Sequence, residues 1–243
     1  MLRQMVVATG AALVLGGCST GHAESGGPDG QRAFSVAAFD KLEVAGPYDV
    51  TVTTGGQAAA QARGSEKLLE HTVVEVRNGT LHIHPRRSGS SWFGGGGFRW
   101  TGGKASVQVS VPMLTGAAVA GSGNIAVDRV RTGEFSGSIA GSGKLGIGQL
   151  QVDKLGLEIA GSGSATAAGR AGEARYEIAG SGDIDAARLQ VERLKAEIAG
   201  SGNIRARATA AADVDIAGSG DVEVTGGAKC SVSKAGSGNV RCS

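Results

Sequence analysis

Aromatic side chains are scarce in this 243-residue chain, only 4% of it. That excludes a core built around large rings and fits a thin core filled by aliphatics. An excess of one charge is also missing. Lys and Arg number 24 and Asp and Glu 22, a formal net charge of +2, which leaves no nucleic-acid footprint. Helix signals are absent: the segments between glycine corners are too short for a stable helix and lack a cap-to-cap pattern. No apolar run is long enough to span a membrane as a helix. No catalytic signature stands out, and we assign no catalytic residue, cofactor or metal ligand set. The excess is in glycine, 43 residues. Aligned apolar positions argue against a disordered glycine-rich chain, because disordered segments lack such buried sets.

The glycines are organised. Ala-Gly-Ser-Gly begins at Ala120, Ala140, Ala160, Ala179, Ala199, Ala217 and Ala235, at intervals of 20, 20, 19, 20, 18 and 18 residues. A repeat of this length is one supersecondary unit that cannot bury a core alone and must stack on its neighbours. The residue before each motif is Val119, Ile139, Ile159, Ile178, Ile198, Ile216 or Lys234, β-branched and apolar in all but the last. Positions two and four residues earlier are mostly apolar too. After the motif, Ile125 and Val127 recur as Leu145 and Ile147, then Ala165 and Ala167, Ile184 and Ala186. Period-two alternation on both sides of a glycine corner is strand, turn, strand. A third, less regular segment (Leu150 and Val152, recurring as Leu189 and Val191) completes the unit. The sequence therefore predicts an all-β fold, a parallel β-helix of 18–20-residue coils with three short strands and three corners each. In the motif, glycine permits positive φ or close backbone approach, and serine a local or along-stack hydrogen bond.

The first half carries a degenerate copy. Leu42, Val44, Ala45-Gly46-Pro47-Tyr48, Val50 and Val52 fit the template, with Pro-Tyr replacing Ser-Gly. Val74 and Val76 precede Arg77-Asn78-Gly79, a turn signal, followed by Leu81 and Ile83. Atypical end repeats are expected, because an open solenoid end needs a cap.

Residues 1–17 read as a secretory signal, with a cationic start and an apolar run from Met5 to Leu15. Leu15-Gly16-Gly17-Cys18 resembles the lipobox of bacterial lipoproteins. The resemblance implies that Cys18 becomes the lipidated N-terminus and that Ser19 directs the protein to the outer membrane, where several acyl chains anchor it. Residues 18–33 read as a flexible tether and residues 34–243 as the folded domain, its repeats clearest over 115–243. Cys230 and Cys242 fall at predicted inward positions of the final repeat. A bridge closing the solenoid end is favoured; two buried thiols are the alternative.

Candidate sites are few. His82 and His84 alternate with Leu81 and Ile83, so both imidazoles face outward on one strand. With His71 they supply at most three metal ligands and no identifiable acidic partner, so they read as solvent-facing strand residues. Glu158, Glu177, Glu197 and Asp215 precede successive motifs, about 5 Å apart if stacked and mutually repulsive. Arg175 and Lys195 lie two residues before Glu177 and Glu197 and offset that repulsion. Paired carboxylates also serve glycoside hydrolysis, but these recur with the repeat as structural positions do. The residue after each motif is Asn124, Lys144, Ser164, Asp183, Asn203, Asp221 or Asn239, and the Asn and Asp among them suit stacked side-chain ladders. The segment 90–103 differs from the rest and holds Trp92, Phe93, Phe98 and Trp100. It is the candidate contact loop for a sugar, partner or membrane, or it folds back over a solenoid edge.

The chain resembles the head GIN domain family, the auto-transporter adhesins, over roughly Phe34 to Ser243. The resemblance is carried by residues 39–50 (Phe39-Asp40-Lys41-Leu42-Glu43-Val44-Ala45-Gly46-Pro47-Tyr48-Asp49-Val50), by Glu75-Val76-Arg77-Asn78-Gly79-Thr80-Leu81-His82-Ile83, and by Val111-Pro112-Met113-Leu114 leading into Ala120-Gly121-Ser122-Gly123. It implies a right-handed β-helix exposed in the cell envelope and transfers no catalytic residue. The reading is a non-enzymatic lipid-anchored envelope protein, held to the membrane by its N-terminal lipid and meeting an envelope glycan or protein. A polysaccharide-active β-helix enzyme and a calcium-stabilised scaffold are the alternatives.

Overall fold

A strand with alternating apolar residues needs hydrogen-bond partners on both edges, and a repeating chain finds them in its own next coil. The computed structural model describes residues 29–86 and 105–243. The chain forms β1 (Asp29–Phe34), β2 (Lys41–Ala45), β3 (Tyr48–Thr54), β4 (Ala59–Ser65), the short α1 (Glu66–Glu70), β5 (Thr72–Arg77), β6 (Thr80–Pro85) and β7 (Ala105–Val111). Then come β8 (Gly116–Gly121), β9 (Asn124–Arg131), β10 (Glu134–Gly141), β11 (Lys144–Gly161), β12 (Ser164–Gly180), β13 (Asp183–Gly200), β14 (Asn203–Gly218), β15 (Asp221–Thr225), β16 (Lys229–Gly236) and β17 (Val240–Cys242). From β8 onward every pairing is parallel and in the register of the repeat. The fold is the parallel β-solenoid that the repeat predicts.

The apolar positions become continuous columns. One runs from Ile83 through Val44 and Val119 to Ile139, Ile159, Ile178, Ile198 and Ile216, and ends at Lys234. The isoleucines are 0–3% exposed. A neighbouring column mixes sizes so that layers interdigitate. There, Gly137 leaves the space that Leu145 and Leu157 fill: a Cβ at Gly137 would lie 2.6 Å from Leu145 Cδ2 and 2.8 Å from Leu157 Cδ2.

The two glycines of each motif do different work. The first has positive φ throughout, from +102° at Gly121 to +136° at Gly200, and Gly46 of the degenerate corner shares it at +108°. The second allows close approach: a Cβ at Gly163 would meet Gly143 O at 2.7 Å. The serine contributes through its backbone. Ser142 N–H donates to Gly121 O at 2.9 Å and Ser162 N–H to Gly141 O at 2.9 Å, one coil back. Asn203 Nδ2 donates to Asp183 Oδ1 at 2.8 Å, and Asn239 Nδ2 to Asp221 Oδ1 at 3.1 Å.

Two features depart from the sequence expectation. Each central coil is one long strand, not three short ones: β11 to β14 are interrupted only at the Gly-Ser-Gly corner. The other bends are absorbed as irregularities inside the strands, with register shifts at Ile147/Leu150, Thr166/Ala168 and Ala186/Gln190. Bulges bend a strand while most of its ladder persists. Ordered structure also begins earlier than the expected end of the tether at residue 33. β1 pairs antiparallel with β4, and Arg32 lies over the Phe34 ring at 5.3 Å while its Nη1 donates to Leu69 O at 3.4 Å.

The first coils do not stack in chain order. β2 and β3 sit between β6–β7 on one side and β8–β9 on the other, all parallel. β5 adds antiparallel to β6 through Asn78 (φ +50°) and Gly79 (φ +76°), the conformation a tight hairpin turn requires. β4 adds antiparallel to β7, so antiparallel strands and α1 cap this end. Tyr48 replaces the corner glycine by filling the core. It is fully buried, its hydroxyl lies 3.3 Å from Thr72 Oγ1, and Thr72 Oγ1 donates to Leu68 O at 2.8 Å.

Tyr176 is buried as deeply, but among the described residues its hydroxyl has no hydrogen-bond partner. Burial pushes its phenol pKa far up. An unsatisfied buried donor costs about 1–3 kcal/mol. Tyr176→Phe is therefore expected to raise the melting temperature by roughly 2–4 °C, as about 1 kcal/mol does in a domain of this size. A fall in melting temperature would show that the hydroxyl is paired in solution.

Candidate functional site

A concavity lies where the repeat breaks, on the outer face of β5, β6 and β2. It encloses about 720 Å³, with Glu43, Glu75, Arg77, His82 and His84 as polar lining and Val73 and Pro85 as apolar wall. Strand alternation aims the two imidazoles outward, and register brings acids beside them. Glu43 is the cross-strand partner of His82 from β2, and Glu75 from β5. His82 Nδ1 lies 3.2 Å from Glu43 Oε2, and His84 Nε2 3.2 Å from Glu75 Oε1. Arg77 Nη2 reaches the same Glu75 oxygen at 2.7 Å. His84, then Arg77, hold the Glu75 carboxyl below the usual carboxylate range. The groove thus presents alternating hydrogen-bond donors and acceptors over an apolar wall, which suits a polar, hydroxyl-bearing surface.

His82 and His84 face outward, each engaged by its own glutamate. His71 sits at the β5 end, its carbonyl accepting from Arg86 N–H at 2.6 Å. Among the described residues, no group of three or more His, Cys, Asp or Glu side chains is placed to hold a metal ion. Glu43 escaped the sequence reading because its proximity depends on the pairing of β2 with β6, which no local pattern encodes; Glu75 faces His82 across the β5–β6 hairpin that Asn78-Gly79 signals. Period-two alternation of Glu75 and Arg77 with the partly buried Val74 and Val76 was the available signal.

The acidic column is in register, Glu158 with Glu177, Glu197 and Asp215 on successive coils. Its two middle members are charge-compensated. Arg175 Nε donates to Glu177 Oε1 and its Nη2 lies 3.2 Å from Glu197 Oε2; Lys195 Nζ lies 2.7 Å from Glu197 Oε1. On the adjoining face Arg193 Nη2 lies 2.6 Å from Glu173 Oε1. These are evenly repeated carboxylates, not a unique catalytic pair.

Cys230 on β16 and Cys242 on β17 form a disulfide with Cα atoms 6.6 Å apart; the two strands pair not with each other but with β14 and β15 of the preceding coil. Both hold the inward register the repeat predicts, opposite the buried Ala212 and Val224, but neither is itself buried. Cys230 is half-buried and Cys242 exposed, and Val232 beside them is 49% exposed, because no further coil covers this end. Cys18, the signal segment 1–17 and the aromatic loop with Trp92, Phe93, Phe98 and Trp100 lie outside the described residues.

Comparison with known proteins agrees with this architecture. A comparison with curated proteins yields no match. Among solved structures, a "putative adhesin" from Bacteroides fragilis superposes with a TM-score of 0.79 at 24% identity, covering 89% of this chain and 97% of that one. A "putative lipid binding protein" from Parabacteroides distasonis gives 0.73 at 25% identity, covering 90% and 98%. A "putative adhesin" from Parabacteroides merdae gives 0.71 at 18% identity, covering 90% and 98%. The family model described as "Putative auto-transporter adhesin, head GIN domain" matches residues 38–228. This chain belongs to the head GIN domain family of adhesin-like proteins.

Proposed function

We propose that the chain is a non-enzymatic lipoprotein of the bacterial cell envelope, held by lipid at Cys18, that presents its solenoid as a rigid contact surface. The supporting observation is the regularity of its charged faces. The carboxylates recur with the coil, and Glu177 and Glu197 in the middle of the column are paired with Arg175 and Lys195, whereas a hydrolase needs one acid and one base set apart by environment. The same compensation weighs against a calcium-stabilised scaffold, since hard cations select uncompensated carboxylates. A rigid solenoid loses little entropy when it binds, which suits repeated weak adhesive contacts. The relative described as lipid-binding suggests a second ligand class for this family. Here the coil interior is filled by aliphatic side chains, so any lipid contact falls on the outside or on the N-terminal anchor.

Cys18→Ala is expected to move the protein from the membrane to the soluble envelope fraction, because it removes the residue that would carry the anchoring acyl chains. Fractionation, with blotting of membrane and soluble pools, reads the result. Full membrane retention of the variant would sink the lipid-anchor reading.

A further inference from the structure

One face of the solenoid alternates with a period of two coils. Arg131, Gln151, Arg170, Gln190 and Arg207 are register partners on five successive coils. Two residues further along each coil come Gly133, Asp153, Gly172, Glu192 and Thr209. Arginine therefore appears on every second coil, beside a glycine in the first two instances, and the coils between carry glutamine beside an acid. All five ladder residues are exposed. Arg131, Gln151, Arg170, Gln190, Asp153 and Glu192 line a shared surface groove of about 560 Å³.

The ladder arginines differ from those elsewhere on the molecule. Arg175 and Arg193 are held by Glu177, Glu197 and Glu173. Among the described residues, Arg131, Arg170 and Arg207 enter no ion pair or side-chain hydrogen bond. Stacking like charges in a column is unfavourable, and glutamine between them relieves it by doubling the separation. At ~4.8 Å per coil the arginines stand about 10 Å apart and span roughly 19 Å. That separation is close to the advance of one disaccharide along an extended polysaccharide.

We propose that this face binds a linear acidic polysaccharide lying along the solenoid axis, one acidic group per disaccharide. Each guanidinium takes a carboxylate or sulfate through its planar fork. On the intervening coils Gln151 and Gln190 hydrogen-bond the neutral sugar, and Asp153 and Glu192 accept from its hydroxyl groups. Gly133 and Gly172 keep the floor open where the acidic sugar sits. The alternation of cationic and anionic coils selects a ligand whose own charge alternates, and disfavours a uniformly dense polyanion. This assigns a ligand class to the contact surface of the proposed function, and it rests on that reading only for where the ligand is met.

The test is binding of the purified full chain to hyaluronan oligosaccharides, which carry one carboxylate per disaccharide, by isothermal titration calorimetry at low salt. A hexasaccharide, long enough to meet three arginines, is expected to bind at least about tenfold more tightly than a disaccharide, and neutral dextran not at all. Arg131→Ala/Arg170→Ala/Arg207→Ala is expected to weaken hexasaccharide binding at least about tenfold. The control Arg175→Ala/Arg193→Ala/Lys195→Ala removes the same charge from the compensated face and is expected to leave binding within about threefold. Circular dichroism confirms that both variants are folded. No binding of hyaluronan, equal loss in both variants, or tighter binding of duplex DNA would each overturn the proposal. The outcome is independent of membrane fractionation, so failure here leaves the Cys18 experiment to judge the anchor by itself.

Discussion

Gly161→Ala is expected to cost about 4 kcal/mol, a large part of the 5–15 kcal/mol that holds a typical domain folded. Gly161 has φ +126°, a region that side-chain-bearing residues rarely adopt, and its Cβ would lie 2.6 Å from Gly141 O and 3.2 Å from Gly141 C. The obstructing atoms are backbone of the preceding coil, already fixed by the Ser162 N–H to Gly141 O bond. They cannot rotate away as a side chain would. Relief requires the corner to move, and the corner is stacked between those at Gly141 and Gly180. At about 2–4 °C per kcal/mol, the melting temperature should fall by roughly 8–16 °C. Gly156→Ala is the control five residues away. Nothing lies within 4 Å of its Cβ and its φ is ordinary, so that variant should be neutral or stabilised by up to about 1 kcal/mol. Similar melting temperatures for the two variants would refute the role assigned to the corner glycine.

Ile159→Lys is expected to be at least as damaging. Ile159 is fully buried between Ile139 and Ile178 in the central column. An ammonium there has no partner and no route to water, and an unpaired buried charge costs several kcal/mol even after relaxation. Because each coil touches only its neighbours, the lesion should split the stack, leaving coils on either side less cooperative. Urea unfolding should show a lower midpoint and a broadened or two-step transition; a native midpoint and slope would contradict the packing described. The chain itself contains the control. Lys234 occupies the same column one coil past Ile216 and is exposed, its Nζ donating to Gly238 O at 2.8 Å. An inward charge on the last coil also discourages edge-to-edge growth of the open sheet. The same residue type is thus excluded mid-stack and useful at the end.

Much of this architecture was legible because a solenoid makes local sequence and global packing agree. The residue before each motif is isoleucine in five consecutive coils, and those residues form one buried column. Asn78-Gly79 signalled a tight turn, and both residues take positive φ. The corner glycines were ambiguous between two physical roles, and the structure separates them: positive φ for the first, close approach for the second. The coil bends were misread because a bulge has no residue signature of its own; the backbone turns while the alternation of apolar residues continues. The polar groove was only half visible. His82 and His84 were aimed outward by alternation alone, but Glu43 reaches His82 through a parallel pairing between segments almost forty residues apart.

The sequence by itself determined the coil length, the inward positions and the strand character of nearly the whole chain, because each follows from spacing within one repeat. Only the tertiary structure decided the order of stacking at the first coils, where β2–β3 lies between β6–β7 and β8–β9. It also decided the antiparallel cap and the partners of each exposed charge. The physical reason is common to all three. Parallel backbone pairing is nearly indifferent to side-chain identity, so which strands become neighbours is fixed by how the whole chain closes its core.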